Sequence, residues 1–126
     1  MKTVIATDKA PAAIGPYSQG IKAGNLIFFS GQIPLNPATG EMVGDDIETQ
    51  THQVMRNMQA ALSGASIGFD QVVKATIFLQ NLSDFAKVNE IYGEYMTDPA
   101  PARACVEVAA LPKGALIEIE WIACLD

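Results

Sequence analysis

The stretch Leu116-Ile117-Glu118-Ile119-Glu120-Trp121-Ile122-Ala123-Cys124 decides the architecture. Successive side chains of a strand point to opposite faces. Ile117, Ile119 and Trp121 therefore form one row, and Leu116, Glu118, Glu120 and Ile122 the other. The first row is apolar and marks a face buried under a second layer. The second row mixes aliphatic residues with carboxylates and carries more apolar material than a solvent-facing surface needs. Its expected cover is another copy of the chain, in a symmetric homo-oligomer.

Working back from this strand, Leu111-Pro112-Lys113-Gly114 is a connection, and Arg103 to Val108 is the strand before it. Asp98-Pro99-Ala100-Pro101 ends a helix, because a residue preceding proline is driven out of the helical region. That helix starts at Ser83 or Asp84 and carries an apolar stripe of Phe85, Val88, Tyr92, Tyr95 and Met96. Val72 to Leu79 is β-branched and apolar on both faces, the pattern of a buried strand. Upstream of it, Ile47, Thr51, Val54, Met55, Met58, Ala61, Leu62 and Ala65 follow helical spacing. Asp45 with Glu48 fits a capping box at the start of this first helix, and Gly68 fits its stop. Ile33 to Asp46, with Pro34, Pro37, Gly40 and Gly44, reads as a long loop of the kind that carries function or faces another subunit. Ser18 to Ala23 and Leu26 to Gly31 form a hairpin around Gly24-Asn25, and Lys2 to Ala6 is a first strand. The order is strand, strand, strand, helix, strand, helix, strand, strand. It predicts one α+β domain over residues 1–126, with two helices on one face of a mixed sheet.

Composition narrows the function. Fourteen acidic residues against eight basic ones give a formal charge of −6. The basic residues are scattered, so the patch that nucleic-acid binding requires is absent. No apolar run approaches the roughly 20 residues of a membrane span, and the N-terminal Val4-Ile5-Ala6 run is too short for a signal peptide. A cytoplasmic location is expected. Two cysteines, Cys105 and Cys124, make no disulfide framework, and the single histidine, His52, leaves no zinc spacing. No metal site is expected.

Pro101-Ala102-Arg103-Ala104-Cys105-Val106-Glu107 holds the residue that most needs explaining. Alternation places Arg103, Cys105 and Glu107 on one face. An arginine opening an apolar strand cannot be neutralised and needs an anion. Two readings stand: an ion pair with Glu118 or Glu120 on the next strand, or a guanidinium fork offered to a ligand carboxylate. Glu118 beside such a cation suits a base or water-orienting role, while Glu120 reads as a surface carboxylate. Cys105, without a histidine in the pattern, reads as a small buried hydrophobe, although its backbone can still face a ligand. His52 reads as an ordinary surface histidine. Tyr17 sits at the Gly15-Pro16 bend, either packed there or lying over a cleft. Ser30-Gly31 ends an apolar strand where a backbone can approach a ligand closely. Asn89 is polar on an apolar stripe, a pattern that fits a local cap better than a ligand contact.

Several segments together carry a family likeness: Ile14-Gly15-Pro16-Tyr17-Ser18-Gln19-Gly20, Ser30-Gly31-Gln32-Ile33-Pro34, Pro37-Ala38-Thr39-Gly40-Glu41, Pro101 to Val108, and Leu116 to Glu120. In order and spacing the chain resembles the reactive intermediate (imine/enamine) deaminases, the RidA/YjgF family, over essentially its whole length. The resemblance implies a chorismate-mutase-like α+β fold assembled as a homotrimer, with clefts between neighbouring subunits. It implies hydrolysis of 2-aminoacrylate, 2-iminobutanoate and related 2-imino acids to 2-keto acids and ammonia without a cofactor. It assigns Arg103 to the substrate carboxylate, Cys105 to a backbone contact, Glu118 to water, Tyr17 to closing the site, and Ser30, Gly31 and Asn89 to its lining. It turns the balance on Arg103 from ion pair to ligand site. Two other functions remain open: a trimeric sensor of small keto or imino acids, and an endoribonuclease or translation inhibitor, against which the acidic charge speaks.

Overall fold

A computed structural model describes residues 1–126. The strands are β1 (Lys2–Ile5), β2 (Gly20–Ala23), β3 (Leu26–Gln32), β4 (Val72–Leu79), β5 (Ala102–Glu107) and β6 (Ile117–Cys124). The helices are α1 (Ile47–Gly64) and α2 (Phe85–Tyr95). The element order is the expected one. The strands form one six-stranded sheet in the order β1-β2-β3-β6-β4-β5, antiparallel except for the parallel β4–β5 pair. A parallel neighbour needs a crossover, which α2 supplies. The β2–β3 hairpin closes at Gly24, whose φ of +64° suits the first central position of a two-residue turn.

Both helices lie on one face of the sheet. Val54, Met55, Met58 and Leu62 of α1 and Val88 and Tyr92 of α2 pack on Ile27, Phe29, Ala75, Ile77, Ile117, Ile119 and Trp121. Trp121 stacks on Phe29 with ring centroids 4.8 Å apart, and the two residues are cross-strand partners. The row Ile117, Ile119, Trp121 is thus the buried one, as alternation requires. The opposite row of β6 meets a face without helices. There Phe28 and Val106 are exposed, alongside half-buried Phe78 and Ile122.

Four local readings change. The cap of α1 is Asp46, not a box of Asp45 with Glu48: the Asp46 carboxylate accepts the Thr49 N–H at 2.9 Å, and that bond holds its carboxyl below the usual range. The helix ends at Gly64 rather than running to Gly68, because the chain turns through Ala65 and left-handed Ser66 at φ 61°. A 3-10 turn over Leu82–Asp84 delays α2 to Phe85. His52 is not a free surface residue; its Nδ1 lies 2.7 Å from the Tyr95 hydroxyl and ties α1 to α2.

Ile119 is fully buried between the helix layer and the sheet. Ile119→Ala should cost about 2–5 kcal/mol through lost burial and the cavity left behind, read as a fall in Tm at fixed protein concentration.

Candidate active site

The candidate residues fall into two groups, and the sheet keeps them apart. The first lies on the helix-free face. From Phe29 opposite Trp121 to Gln32 opposite Ile119, β3 has one residue more than β6. Such a bulge re-aims side chains, and here it leaves Ser30 and Gly31 beside Glu118. A Cβ added to Gly31 would overlap the Glu118 carboxylate and sit 2.9 Å from its Cδ. Only glycine lets the carboxyl group lie against the strand at this point.

Ser30 is held in place by its own bonds. Its Oγ donates to the Ser18 carbonyl at 2.6 Å, and its N–H donates to the Gln19 carbonyl at 2.9 Å. The buried Gln19 side chain accepts the Thr7 N–H at 2.7 Å and donates to the Pro11 carbonyl at 2.7 Å. This folds the 7–14 segment over the sheet edge and sets up Tyr17, whose exposed hydroxyl accepts the Ile14 N–H at 3.3 Å. Tyr17, Ser30, Gly31, Gln32, Lys113 and Glu118 line a cleft of about 580 Å³. Lys113 stands in the left-handed region (φ 57°, ψ 21°), and its Nζ donates to the Gly40 carbonyl at 3.4 Å. Burial pushes the Glu118 carboxyl above its usual value, and neighbouring Glu120 pushes it further the same way.

The second group lies under the helices at the opposite sheet edge. Arg103 pairs in register with Ala75, and Cys105 with Ile77, both buried helix-facing residues. The Arg103 guanidinium carbon lies 5.0 Å from the Tyr92 ring centroid and 5.6 Å from that of Phe85. Asn89, four residues after Phe85 and three before Tyr92, shares their helical face. Its side chain is exposed and makes no hydrogen bond within the chain, so the local-cap reading fails. Cys105 is half-buried against the core. Burial raises its thiol pKa, opposed by the charge of Arg103. A thiol that resists ionisation is a poor nucleophile, which agrees with the sequence reading.

The ion-pair reading of Arg103 is overturned. β4 stands between β5 and β6, so Glu118 and Glu120 are not on an adjacent strand. Glu118 pairs with Phe78 on the helix-free face, whereas Arg103 points to the helices. The chain's ion pair is Lys87–Glu90 at 3.8 Å, and Arg103 makes none. It is a cation with aromatic faces and no anion. Sequence reasoning missed Gln19 and Lys113, which it left inside a motif and a connection. It also took Phe85 and Tyr92 for core alone. A helical aromatic pair seven residues apart, with an arginine on the following strand, was the available signal.

One chain therefore groups Tyr17, Ser30, Gly31 and Glu118, separately groups Arg103, Cys105 and Asn89, and does not join the two. Nothing in either group is built as a metal cage. Together they offer a carboxylate of raised pKa, a free guanidinium and the outer backbone edge of β5.

The sequence model of a family described as endoribonuclease L-PSP matches residues 7–125. The chain is 53% identical over 124 residues to the chloroplastic Reactive Intermediate Deaminase A of Arabidopsis thaliana, covering 98% of this chain and 66% of that protein. A Yersinia pestis protein, YyfA, of the conserved Rid family superposes with a TM-score of 0.94 at 52% identity, over 98% and 99% of the two chains. Escherichia coli TdcF, solved with bound serine, superposes with a TM-score of 0.90 at 41% identity, over 97% and 98%. Helices on one face of a mixed sheet, the glycine bulge under Glu118 and the edge arginine are thus features of a chain that belongs to the RidA/YjgF family.

Proposed function

We propose that the protein hydrolyses 2-imino and enamine acids such as 2-aminoacrylate and 2-iminobutanoate to 2-keto acids and ammonia. The observation that carries this reading is Arg103, a guanidinium that is held in place and has no internal anion. An arginine so placed is available to a ligand carboxylate through a charge-assisted fork. The Arabidopsis relative's name, a reactive intermediate deaminase, supports the reaction class. The serine bound to the E. coli relative supports a small α-carboxylate ligand.

The two groups complete one site when the β5 edge of one subunit docks against the Tyr17–Glu118 cleft of the next. A homotrimer gives three such junctions and covers the apolar helix-free face. In this assembly Arg103 takes the carboxylate and the free backbone edge at Cys105 orients the substrate beside Asn89. Tyr17 closes the cleft over Ser30 and Gly31. The protonated imine carbon is already electrophilic. Glu118 takes a proton from water as its oxygen bonds to that carbon, giving a carbinolamine. Glu118 returns that proton to nitrogen and then takes the carbinolamine hydroxyl proton as the C=O bond forms and the C–N bond breaks; the 2-keto acid is released, and the last proton leaves with ammonia as ammonium. Its raised pKa makes the Glu118 carboxylate a stronger base than an ordinary one, which favours taking the proton from water. No helix is long and apolar enough to cross a membrane, and the proposed setting is the cytoplasm.

A second reading, a trimer that binds small keto or imino acids without turning them over, is favoured by the serine complex of the relative. An RNA-cleaving role has behind it the family's description and the endoribonuclease names of two solved relatives, from Entamoeba histolytica and Thermotoga maritima, and faces a net charge of −6.

In an assay coupled to threonine dehydratase, Arg103→Ala should lose activity about 100-fold or more while keeping its oligomeric state, since orientation of the carboxylate is lost. Unchanged turnover would remove Arg103 from the site. Glu118→Gln should cost roughly 10²–10⁴-fold in kcat, the usual range for a general base. Because Glu118 must be ionised to accept a proton, wild-type kcat falls as pH drops through its raised pKa. Glu120→Gln removes a charge that raises it, so the acid limb should move to lower pH. Gly31→Ala should leave the fold intact and lower kcat at least tenfold by displacing the Glu118 carboxyl, since misplacing a catalytic group by about 1 Å can cost 100-fold. Calorimetric binding of 2-ketobutyrate without any rate enhancement in the wild type would select the sensor instead.

A further inference from the structure

Arg103 is held by two aromatic rings that no expected role accounts for. Phe85 and Tyr92 are seven residues apart on α2. Two helical turns rise about 10.5 Å, and the guanidinium lies 5.6 Å from one ring centroid and 5.0 Å from the other. One guanidinium is thus shared by two rings set two turns apart on one helix. Both fall within the roughly 6 Å reach of a cation–π contact. The two walls differ in kind. Tyr92 is 5% exposed and fixed by the core, and its hydroxyl is buried without a hydrogen-bond partner. It is there for its ring, not for its oxygen. Phe85 is 38% exposed at the rim, as the first residue of α2.

We infer that Phe85 and Tyr92 are positioning residues that clamp the plane of the Arg103 guanidinium, cover its two faces and leave only its N–H edge open to a ligand carboxylate. The inference rests on the proposed carboxylate-binding role of Arg103 and adds what prepares that residue. A free arginine side chain carries large rotamer entropy, which binding must remove. Rings that hold the fork before the ligand arrives remove that cost in advance. They also set the geometry: with its faces covered, the guanidinium accepts a planar, two-oxygen acceptor lying in its own plane. Because the carboxylate is held alike in ground state and transition state, the clamp acts on affinity and KM rather than on kcat.

The test uses the full chain with Phe85→Leu, which keeps an apolar rim residue and removes the ring, and Phe85→Tyr, which keeps the ring. Calorimetry with 2-ketobutyrate should show about fivefold weaker binding for Phe85→Leu, which is roughly 1 kcal/mol at 1.4 kcal/mol per tenfold. KM for 2-iminobutanoate should rise by a similar factor with kcat little changed and Tm held. Phe85→Tyr should recover most of the affinity. In the unliganded wild type the Arg103 side-chain protons should be shifted upfield by the ring currents, and Phe85→Leu should relax that shift. Unchanged affinity and shift in Phe85→Leu would overturn the clamp and leave the deaminase reading standing. A wild type that shows the ring-current shift but binds no carboxylate would remove the clamp's stated purpose together with the proposed function. Equal losses in Phe85→Leu and Phe85→Tyr would also overturn it, because the ring would not be what matters.

Discussion

The fold sets one helix layer over a sheet that carries large apolar side chains on both faces. Everything functional follows from that imbalance. The helices satisfy Ile117, Ile119 and Trp121 and leave Phe28, Phe78, Val106 and Ile122 short of cover. No helix or strand of residues 1–126 lies over them. Burying exposed apolar surface is worth about 25 cal/mol per Å², which is the driving force that the proposed assembly would draw on. The same alternation that splits the apolar residues also splits the chemistry. Arg103 goes under the helices with Ala75 and Ile77, and Glu118 goes to the open face with Phe78. One chain does not bring the two residues into one site, and the proposed junction between subunits is what would join them.

Much of this was legible in the sequence, for reasons tied to particular residues. The β6 row of Ile117, Ile119 and Trp121 has a period of two and no competing pattern, so its burial was readable. Val72–Leu79 was readable for the same reason. The cap of α1 was missed by one position because Asp45 and Asp46 are both acceptable acceptors, and composition does not say which backbone N–H each can reach. The partnership of Arg103 was misread because chain order is not sheet order. β6 enters the sheet between β3 and β4 and pushes β5 to the edge. No local pattern near residue 103 announces that a strand fourteen residues later will avoid it. The family motif placed Arg103, Glu118, Tyr17, Ser30, Gly31 and Asn89 as candidates. The structure adds why Gly31 must be glycine and leaves Asn89 exposed without a hydrogen bond inside the chain.

The edge position that defeated the ion-pair reading is itself useful. A central strand spends both of its backbone edges on neighbours. β5 pairs only with β4, so its outer N–H and C=O groups remain available. An exposed edge is an aggregation liability unless something covers or interrupts it. Here Pro101 precedes the strand and the strand is short. A guanidinium held beneath a free backbone edge offers two directional recognition elements within one short segment, without a loop of its own.

Burial acts on the two candidate acids in opposite functional senses. It raises the thiol of Cys105 and the carboxyl of Glu118 alike, because a charged form loses hydration in an apolar setting. For the thiol this removes the thiolate that nucleophilic chemistry requires, and the nearby guanidinium only opposes the effect. For the carboxylate the shift moves its proton affinity toward neutrality, where a base can both take a proton and give it back. The proposed imine hydrolysis needs that exchange, since one proton must leave water and one must reach nitrogen. The glycine at position 31 is what allows the carboxyl group to be buried this far, and so the bulge in β3 connects a backbone irregularity directly to the acidity of Glu118.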